Sequence, residues 1–104
     1  MTHKKYACNR LYLPDGRYLS QSVVVLGDEG RVNGYSPLIE ETSATEWIGG
    51  VIVLSAKEAL VPHQEFQDFL HGMTGKGQSL YAWHIAGFDF QREEFIPSSI
   101  IRRL

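Results

Sequence analysis

The chain has 104 residues, of which 43% are hydrophobic and 21% charged, so it has the composition of a globular protein rather than a disordered one. Ten lysines and arginines stand against twelve aspartates and glutamates, for a net charge of -2, and no segment concentrates the basic residues. This balance argues against nucleic acid as the main partner, because phosphate binding depends on clustered cations. We expect one folded domain over residues 1–104, with residues 1–5 as the part most prone to disorder.

Cysteine content and apolar runs bear on location. The single cysteine, Cys8, cannot form an internal disulfide, and the N-terminus carries no apolar run of signal-peptide length. Both observations predict a cytoplasmic protein. The longest apolar stretches are much shorter than the ~20 residues needed to cross a bilayer, so we also predict no membrane span.

The first part of the sequence predicts two hairpins. Residues 5–13 alternate loosely and precede the turn sequence Pro14-Asp15-Gly16, after which a second strand covers residues 18–26. The run Val23-Val24-Val25-Leu26 is typical of a strand with both faces covered. A glycine-containing turn follows, and residues 31–38 return as the partner strand.

The second part predicts further strands around one helix. Residues 46–54 form a strand interrupted by Gly49-Gly50, which indicates a β-bulge or the close approach of another backbone. Ser55 to Glu58 has capping-box spacing, and apolar residues recur at helical spacing from Pro62 to His71. Residues 79–90 predict another strand, and residues 95–104 predict a final strand or an extended tail docked on the sheet.

The predicted fold is therefore mostly β. We expect a β-sandwich or a partly open barrel of about 6–7 strands, with one amphipathic helix over Pro62–His71.

Four potential metal ligands fall on the predicted helix: His63, Glu65, Asp68 and His71. His63 and His71 are eight residues apart, roughly 12 Å along a helix, which is too far for both to bind one ion. The sequence His63-Gln64-Glu65 begins like a zinc deaminase signature, but the chain lacks the two further cysteines of that motif. Residues 75–79 likewise lack the earlier glycine of a phosphate-binding loop. We therefore predict no metal and no cofactor.

The densest aromatic region spans residues 81–90, and two interpretations of it stay open. In the first, a strand packs its aromatic side chains into the core and places His84 on the other face. In the second, a ligand groove or protein interface uses Tyr81, Trp83, His84 and Asp89, with His84 and Asp89 as an acid-base pair. Cys8, which has no neighbouring base in the sequence, is predicted to be a small core residue rather than a nucleophile.

Three segments resemble parts of amidohydrolase-superfamily enzymes. Residues 22–38, Ser-Val-Val-Val-Leu-Gly-Asp-Glu-Gly-Arg-Val-Asn-Gly-Tyr-Ser-Pro-Leu, resemble the opening of those enzymes, where two strands around an acidic-glycine turn precede the barrel. Residues 45–53, Thr-Glu-Trp-Ile-Gly-Gly-Val-Ile-Val, resemble their next strand. Residues 87–104 are similar to the C-terminal tail of some members. In that family the two chain ends together build a small β-sandwich beside the catalytic barrel.

The resemblance implies a fold without the family's chemistry. The metal motif Pro-Gly-Phe-x-Asp-x-His-x-His follows the glycine-rich strand in the family, whereas residues 54–63 here read Leu-Ser-Ala-Lys-Glu-Ala-Leu-Val-Pro-His. No His-x-His is present, and the roughly 200 residues of a barrel are absent. No metal ligand or catalytic base is therefore carried over to any residue.

What the resemblance implies is a stand-alone β-sandwich domain. The expected function is that of a non-catalytic accessory or protein-interaction domain, in which a second subunit or a partner protein covers exposed apolar surface. The alternative is a small-molecule-binding or minor enzymatic domain that uses Trp83, His84 and Asp89.

Overall fold

Strands make up most of the structure, which is a computed structural model and describes residues 4–15, 17–27, 30–37, 45–56, 66–67 and 80–104. The strands are β1 (Lys4–Tyr12), β2 (Tyr18–Leu26), β3 (Val32–Pro37), β4 (Thr45–Trp47), β5 (Val51–Ser55), β6 (Tyr81–Asp89) and β7 (Glu94–Arg103). The prediction of a mostly β fold with about 6–7 strands is confirmed. Lys4 and Lys5, within the segment expected to be prone to disorder, begin β1.

The predicted helix falls mainly outside the described residues. Of Pro62–His71, the structure describes Phe66 and Gln67, both with helical backbone. Ser55, the first residue of the predicted capping box, is the last residue of β5 and pairs with Tyr81. No helix in the part of the chain that the structure describes is long and apolar enough to cross a membrane.

All seven strands belong to one sheet, whose order is β3-β2-β1-β5-β6-β7, with β4 also paired to β1. Strands that are consecutive in the sequence pair antiparallel, first β1 with β2 and β2 with β3, and then β5 with β6 and β6 with β7. The two trios join through parallel pairing of β1 with β4 and β5. The sheet thus consists of two antiparallel trios with a parallel seam between them.

The sheet curls until its two ends meet at one corner. The backbone N–H of Val32, at the start of β3, donates to the carbonyl oxygen of Leu80 over 2.8 Å, and Arg31 forms a bridge with Tyr81. Beside this corner, the N–H of Leu104 donates to the carbonyl oxygen of Ala82 over 3.0 Å. The described sheet is nevertheless not closed into a barrel, because β3 and β7 are not paired along their lengths.

Each face of the sheet carries its own hydrophobic cluster. The aliphatic core lies inside the curl and contains Cys8, Leu11, Val24, Leu26, Ile52, Leu54 and Ala82. The aromatic core lies on the other face and contains Tyr12, Val51, Val53, Phe66, Trp83, Ile85 and Phe88. Adjacent residues of β5 alternate between the two, as the period of two in a strand requires.

Gly49 and Gly50 join β4 to β5 and form the predicted bulge. Between the pairs Ala7–Trp47 and Arg10–Val51, the segment from β4 to β5 has three residues, whereas β1 has two. The carbonyl oxygen of Gly50 accepts hydrogen bonds from the N–H groups of both Asn9 and Arg10. Gly50 has φ of +64°, and a Cβ there would lie 2.4 Å from the carbonyl oxygen of Ile85. Close backbone approach therefore requires glycine at this position.

Candidate functional site

The two aromatic residues of the sequence-predicted site are buried. Trp83 is 5% exposed and belongs to the aromatic core, and Tyr81 is 6% exposed beside it. The guanidinium carbon of Arg103 lies 5.3 Å from the centroid of the Tyr81 ring. The burial of Trp83 places its side chain in the core, as the first of the two interpretations has it.

His84 lies on the opposite face from Trp83, toward the aliphatic core. It is 5% exposed, and its Nε2 lies 3.1 Å from the carbonyl oxygen of Gly49, so Nε2 carries the proton and donates. Nδ1 is buried and has no hydrogen-bond partner among the described residues. Burial lowers the pKa of His84, the Gly49 hydrogen bond opposes this, and the nearby Arg102 charge lowers it further. The imidazole is a neutral, structural link between β6 and the glycine bulge.

Asp89, at the end of β6, stabilises its own turn. One carboxylate oxygen accepts hydrogen bonds from the backbone N–H groups of Gln91 and Arg92, each over 3.1 Å. The other lies 3.9 Å from Nε of Arg92. His84 and Asp89 each have partners of their own, and the structure does not bring them together as an acid-base pair.

A polar and aromatic cluster that the sequence did not indicate lies at the edge of the aromatic core. The Tyr12 hydroxyl donates to a carboxylate oxygen of Glu93 over 2.9 Å and accepts from Nη1 of Arg10 over 3.3 Å. The Arg10 guanidinium also lies over the rings of Tyr18 and Phe90. Burial is the main reason that the pKa of Tyr12 rises to about 12, so the hydroxyl stays protonated. These contacts hold β1 against the turn between β6 and β7.

Cys8 is a core residue, as predicted. Its side chain is fully buried, and the thiol donates to the carbonyl oxygens of Ser22 and Arg10. Burial raises the pKa of the thiol to about 11, which leaves almost no thiolate at neutral pH.

The middle of β7 departs from regular pairing with β6. Ile100 pairs with Ala86 and Phe95 pairs with Phe88, so β7 has extra residues between these two positions. The Ser99 hydroxyl accepts a hydrogen bond from the N–H of Ile96 and donates one to the carbonyl oxygen of Gly87. These side-chain bonds hold the extra residues in a defined bulge.

Four exposed residues on and beside this bulge form a surface that we call the β7 patch: Glu94, Ile96, Ile100 and Arg102. Ile100 is 64% exposed, the largest value among the exposed large hydrophobic residues of the described chain, and Ile96 is 36% exposed. Phe95 and Ile101 pack against the aromatic core, so the neighbouring residues Glu94, Ile100 and Arg102 face the other way.

Small residues lie beneath the patch. Ile100 is opposite Ala86, and a Cβ on Gly87 would lie 3.4 Å from Cδ1 of Ile96. The sequence contains this information only as three isoleucines between an acidic and a basic residue. That pattern did not point to a surface, because it does not show where the strand bulges.

The described residues contain no group of three or more histidine, cysteine, aspartate or glutamate side chains able to hold a metal ion. His63, Glu65, Asp68 and His71, the metal-ligand candidates considered from the sequence, lie outside the described residues.

Comparison with known proteins leaves the fold and its surfaces as the basis for any functional conclusion. No family model, no curated protein and no solved structure matches the chain.

Proposed function

We propose that this chain is a non-catalytic accessory or protein-interaction domain and that the β7 patch is its contact surface. The observation that carries the proposal is the exposure of Ile100 and Ile96 between Glu94 and Arg102. An isolated exposed isoleucine is ordinary, but an apolar centre with charged groups at its margins is the composition of a protein interface.

The neighbouring backbone favours contact through side chains over the addition of another strand to the sheet. Pro97 has no N–H to donate, and the N–H of Ile96 is already bonded to Ser99. Proline and bulges are the usual means by which an edge strand resists pairing with another chain. The patch is therefore suited to a partner that packs on the side chains of β7.

The positions of the residues considered for ligand binding also support an interaction domain. Trp83 contributes to the aromatic core, His84 supports the glycine bulge from the other face, and Asp89 accepts hydrogen bonds within its own turn. All three have structural partners, and they do not converge on one point.

We further propose that the domain is related to the β-sandwich beside amidohydrolase barrels, as the sequence resemblance implies. The support from geometry is the meeting of the N-terminal trio of strands with the C-terminal trio at the Val32–Leu80 corner, close to Leu104. In the barrel enzymes the two chain ends likewise build one small β-domain.

Site-specific photo-crosslinking tests the contact surface. A benzophenone amino acid replaces Ile100 in one variant and Ser36, an exposed residue of β3, in the matched control. Each variant is irradiated in a lysate of its source cell, and the adducts are identified by mass spectrometry. We expect an adduct of defined mass from position 100 and none from position 36.

Competition makes this test specific. Excess unlabelled wild-type chain should abolish an adduct with a different protein, and it should itself become crosslinked where the partner is a second copy of this chain. Excess Ile96→Asp chain should do neither, because a carboxylate in the centre of the patch opposes an apolar contact. Equal adducts from both positions, or none from either, would remove the β7 patch as a contact surface.

A further inference from the structure

Resting on the proposed function, we propose that the partner of the β7 patch is the same patch on a second copy of this chain. The two copies are related by a two-fold axis that passes near Ala86 and Gly87. Side chains, rather than added backbone pairing, form the contact.

The register of β6 with β7 fixes the spacing along the patch. Glu94 is opposite Asp89, and Arg102 is opposite His84. Five residue steps separate these positions on β6, about 16 Å at ~3.3 Å per residue. Ala86 and Gly87, beneath Ile100 and Ile96, lie midway between them. The patch therefore has an acidic end, an apolar centre and a basic end at nearly equal intervals.

This order is self-complementary under a two-fold rotation. If two β7 strands run antiparallel across the axis, Glu94 of each copy faces Arg102 of the other, and the isoleucines of the two copies meet at the centre. An isologous contact of this kind uses the same surface on both subunits and closes after two copies. A parallel arrangement would instead bring Glu94 against Glu94 and Arg102 against Arg102.

Among the described residues, neither Glu94 nor Arg102 forms an ion pair, so both charges can take part in a contact. Asp89, opposite Glu94, is paired with Arg92, whereas Glu94 is exposed. Arg102 is exposed, whereas its neighbour Arg103 lies over the ring of Tyr81. Exposed charge pairs mainly select the orientation of a contact, because like charges in the same positions are unfavourable.

The strand also limits the strength of the contact. Its two charged ends are about 16 Å apart at ~3.3 Å per residue of β6, and a contact of this length covers less area than a standard interface. We therefore expect a reversible dimer that forms as the protein concentration rises.

Reversal of each charge tests the two-fold arrangement by sedimentation velocity over a range of concentrations. The Glu94→Arg and Arg102→Glu variants should each dimerise at least ~tenfold more weakly than the wild type, because both ends of the contact then hold like charges. The double variant, with both changes, should regain the dimer.

An equal mixture of the two single variants gives the most specific result. One variant then has two basic ends and the other two acidic ends, so a mixed dimer should form although neither variant pairs with itself. The matched control is Lys4→Glu, which makes the same charge change as Arg102→Glu at an exposed residue of β1, three strands away. It should dimerise like the wild type.

Folding is checked for each variant by circular dichroism and by thermal melting. If a charge variant does not fold, Ile100→Asp supplies the same test, since it should also abolish the dimer while changing only an exposed side chain.

The outcomes separate this inference from the proposed function. A wild-type chain that stays monomeric while position 100 crosslinks to a different protein would overturn the two-fold dimer and leave the interaction domain standing. A monomer without any adduct would overturn both. A dimer that tolerates Glu94→Arg and Arg102→Glu, or that the double variant does not restore, would overturn the proposed register.

Discussion

The two faces of the sheet are covered in different ways. The aliphatic core is filled by side chains that the strands themselves supply, because the sheet curls around it. The aromatic core faces away from the curl, and Phe66, from the chain between β5 and β6, packs over it. The Phe66 ring lies 4.7 Å from the ring of Phe88, 5.0 Å from Tyr12 and 5.5 Å from Phe95, centroid to centroid. A curled sheet thus covers one face alone and needs a separate segment for the other.

Replacing Phe66 with alanine should have the largest effect, because it removes the ring that covers the aromatic core. We expect a loss of about 3–5 kcal/mol in the free energy of unfolding, measured by urea denaturation. Ile52→Val, which removes one methyl group from the aliphatic core, is the matched control and should cost about 0.5–1.5 kcal/mol. A loss from Phe66→Ala no greater than that of the control would mean that the aromatic face does not depend on this ring.

A smaller effect is expected from Tyr12→Phe, which keeps the ring in the aromatic core and removes the hydroxyl between Arg10 and Glu93. The expected loss is about 0.5–1.5 kcal/mol, the usual net contribution of a hydrogen bond. Urea denaturation of the variant, compared with Glu93→Gln, measures it. An unchanged midpoint would show that packing of the ring alone holds Tyr12 in place.

The smallest effect concerns the aliphatic side, where His84 is a buried titratable base with a pKa below its ordinary value of 6.5. Above pH 6.5 the imidazole is neutral in both the folded and the unfolded chain, so its contribution does not change with pH. Below pH 6.5 the unfolded chain takes up the proton first, and the folded state loses stability until the pH reaches the lowered pKa of the fold.

The difference in unfolding free energy between wild type and His84→Asn isolates this contribution, because the other titrating groups largely cancel. That difference should be constant above pH 6.5 and should move against the wild type as the pH falls. A difference that is flat from pH 8 to pH 5 would contradict the lowered pKa.

Much of the fold was predictable because most of its strands pair with a strand that is close in the sequence. Alternation and turn residues placed β1, β2 and β3, and Gly49-Gly50 correctly marked a bulge with a close backbone neighbour. The face of the sheet on which each side chain lies was harder to predict. Cys8 and Leu11 both belong to the aliphatic core although they are three residues apart, because alternation shifts near Asn9, opposite a Gln21 with φ of 42°. Nothing in a period-two pattern reveals such a shift.

The candidate site depended on contacts that sequence spacing does not contain. Tyr12 and Glu93 are 81 residues apart and meet only because β1 and the β6–β7 turn lie at the same end of the sheet. The aromatic density of residues 81–90 drew attention to Trp83 and His84, whose burial comes from strand pairing on both sides of β6. The β7 patch, by contrast, depends on a bulge that Ser99 stabilises, and the Ser98-Ser99 pair in the sequence does not indicate it.

The corner at Val32 and Leu80 has a consequence for the order in which the chain folds. Each trio of strands pairs neighbours in sequence, whereas the corner joins residues from opposite trios. Contacts between distant residues require more of the chain to be ordered first and therefore form later than local hairpins. The trios can form as separate meanders, dock along the parallel β1–β5 seam and only then curl. The Val32 amide proton should accordingly gain protection after those of the hairpins, which makes this one bond a marker for the last stage of folding.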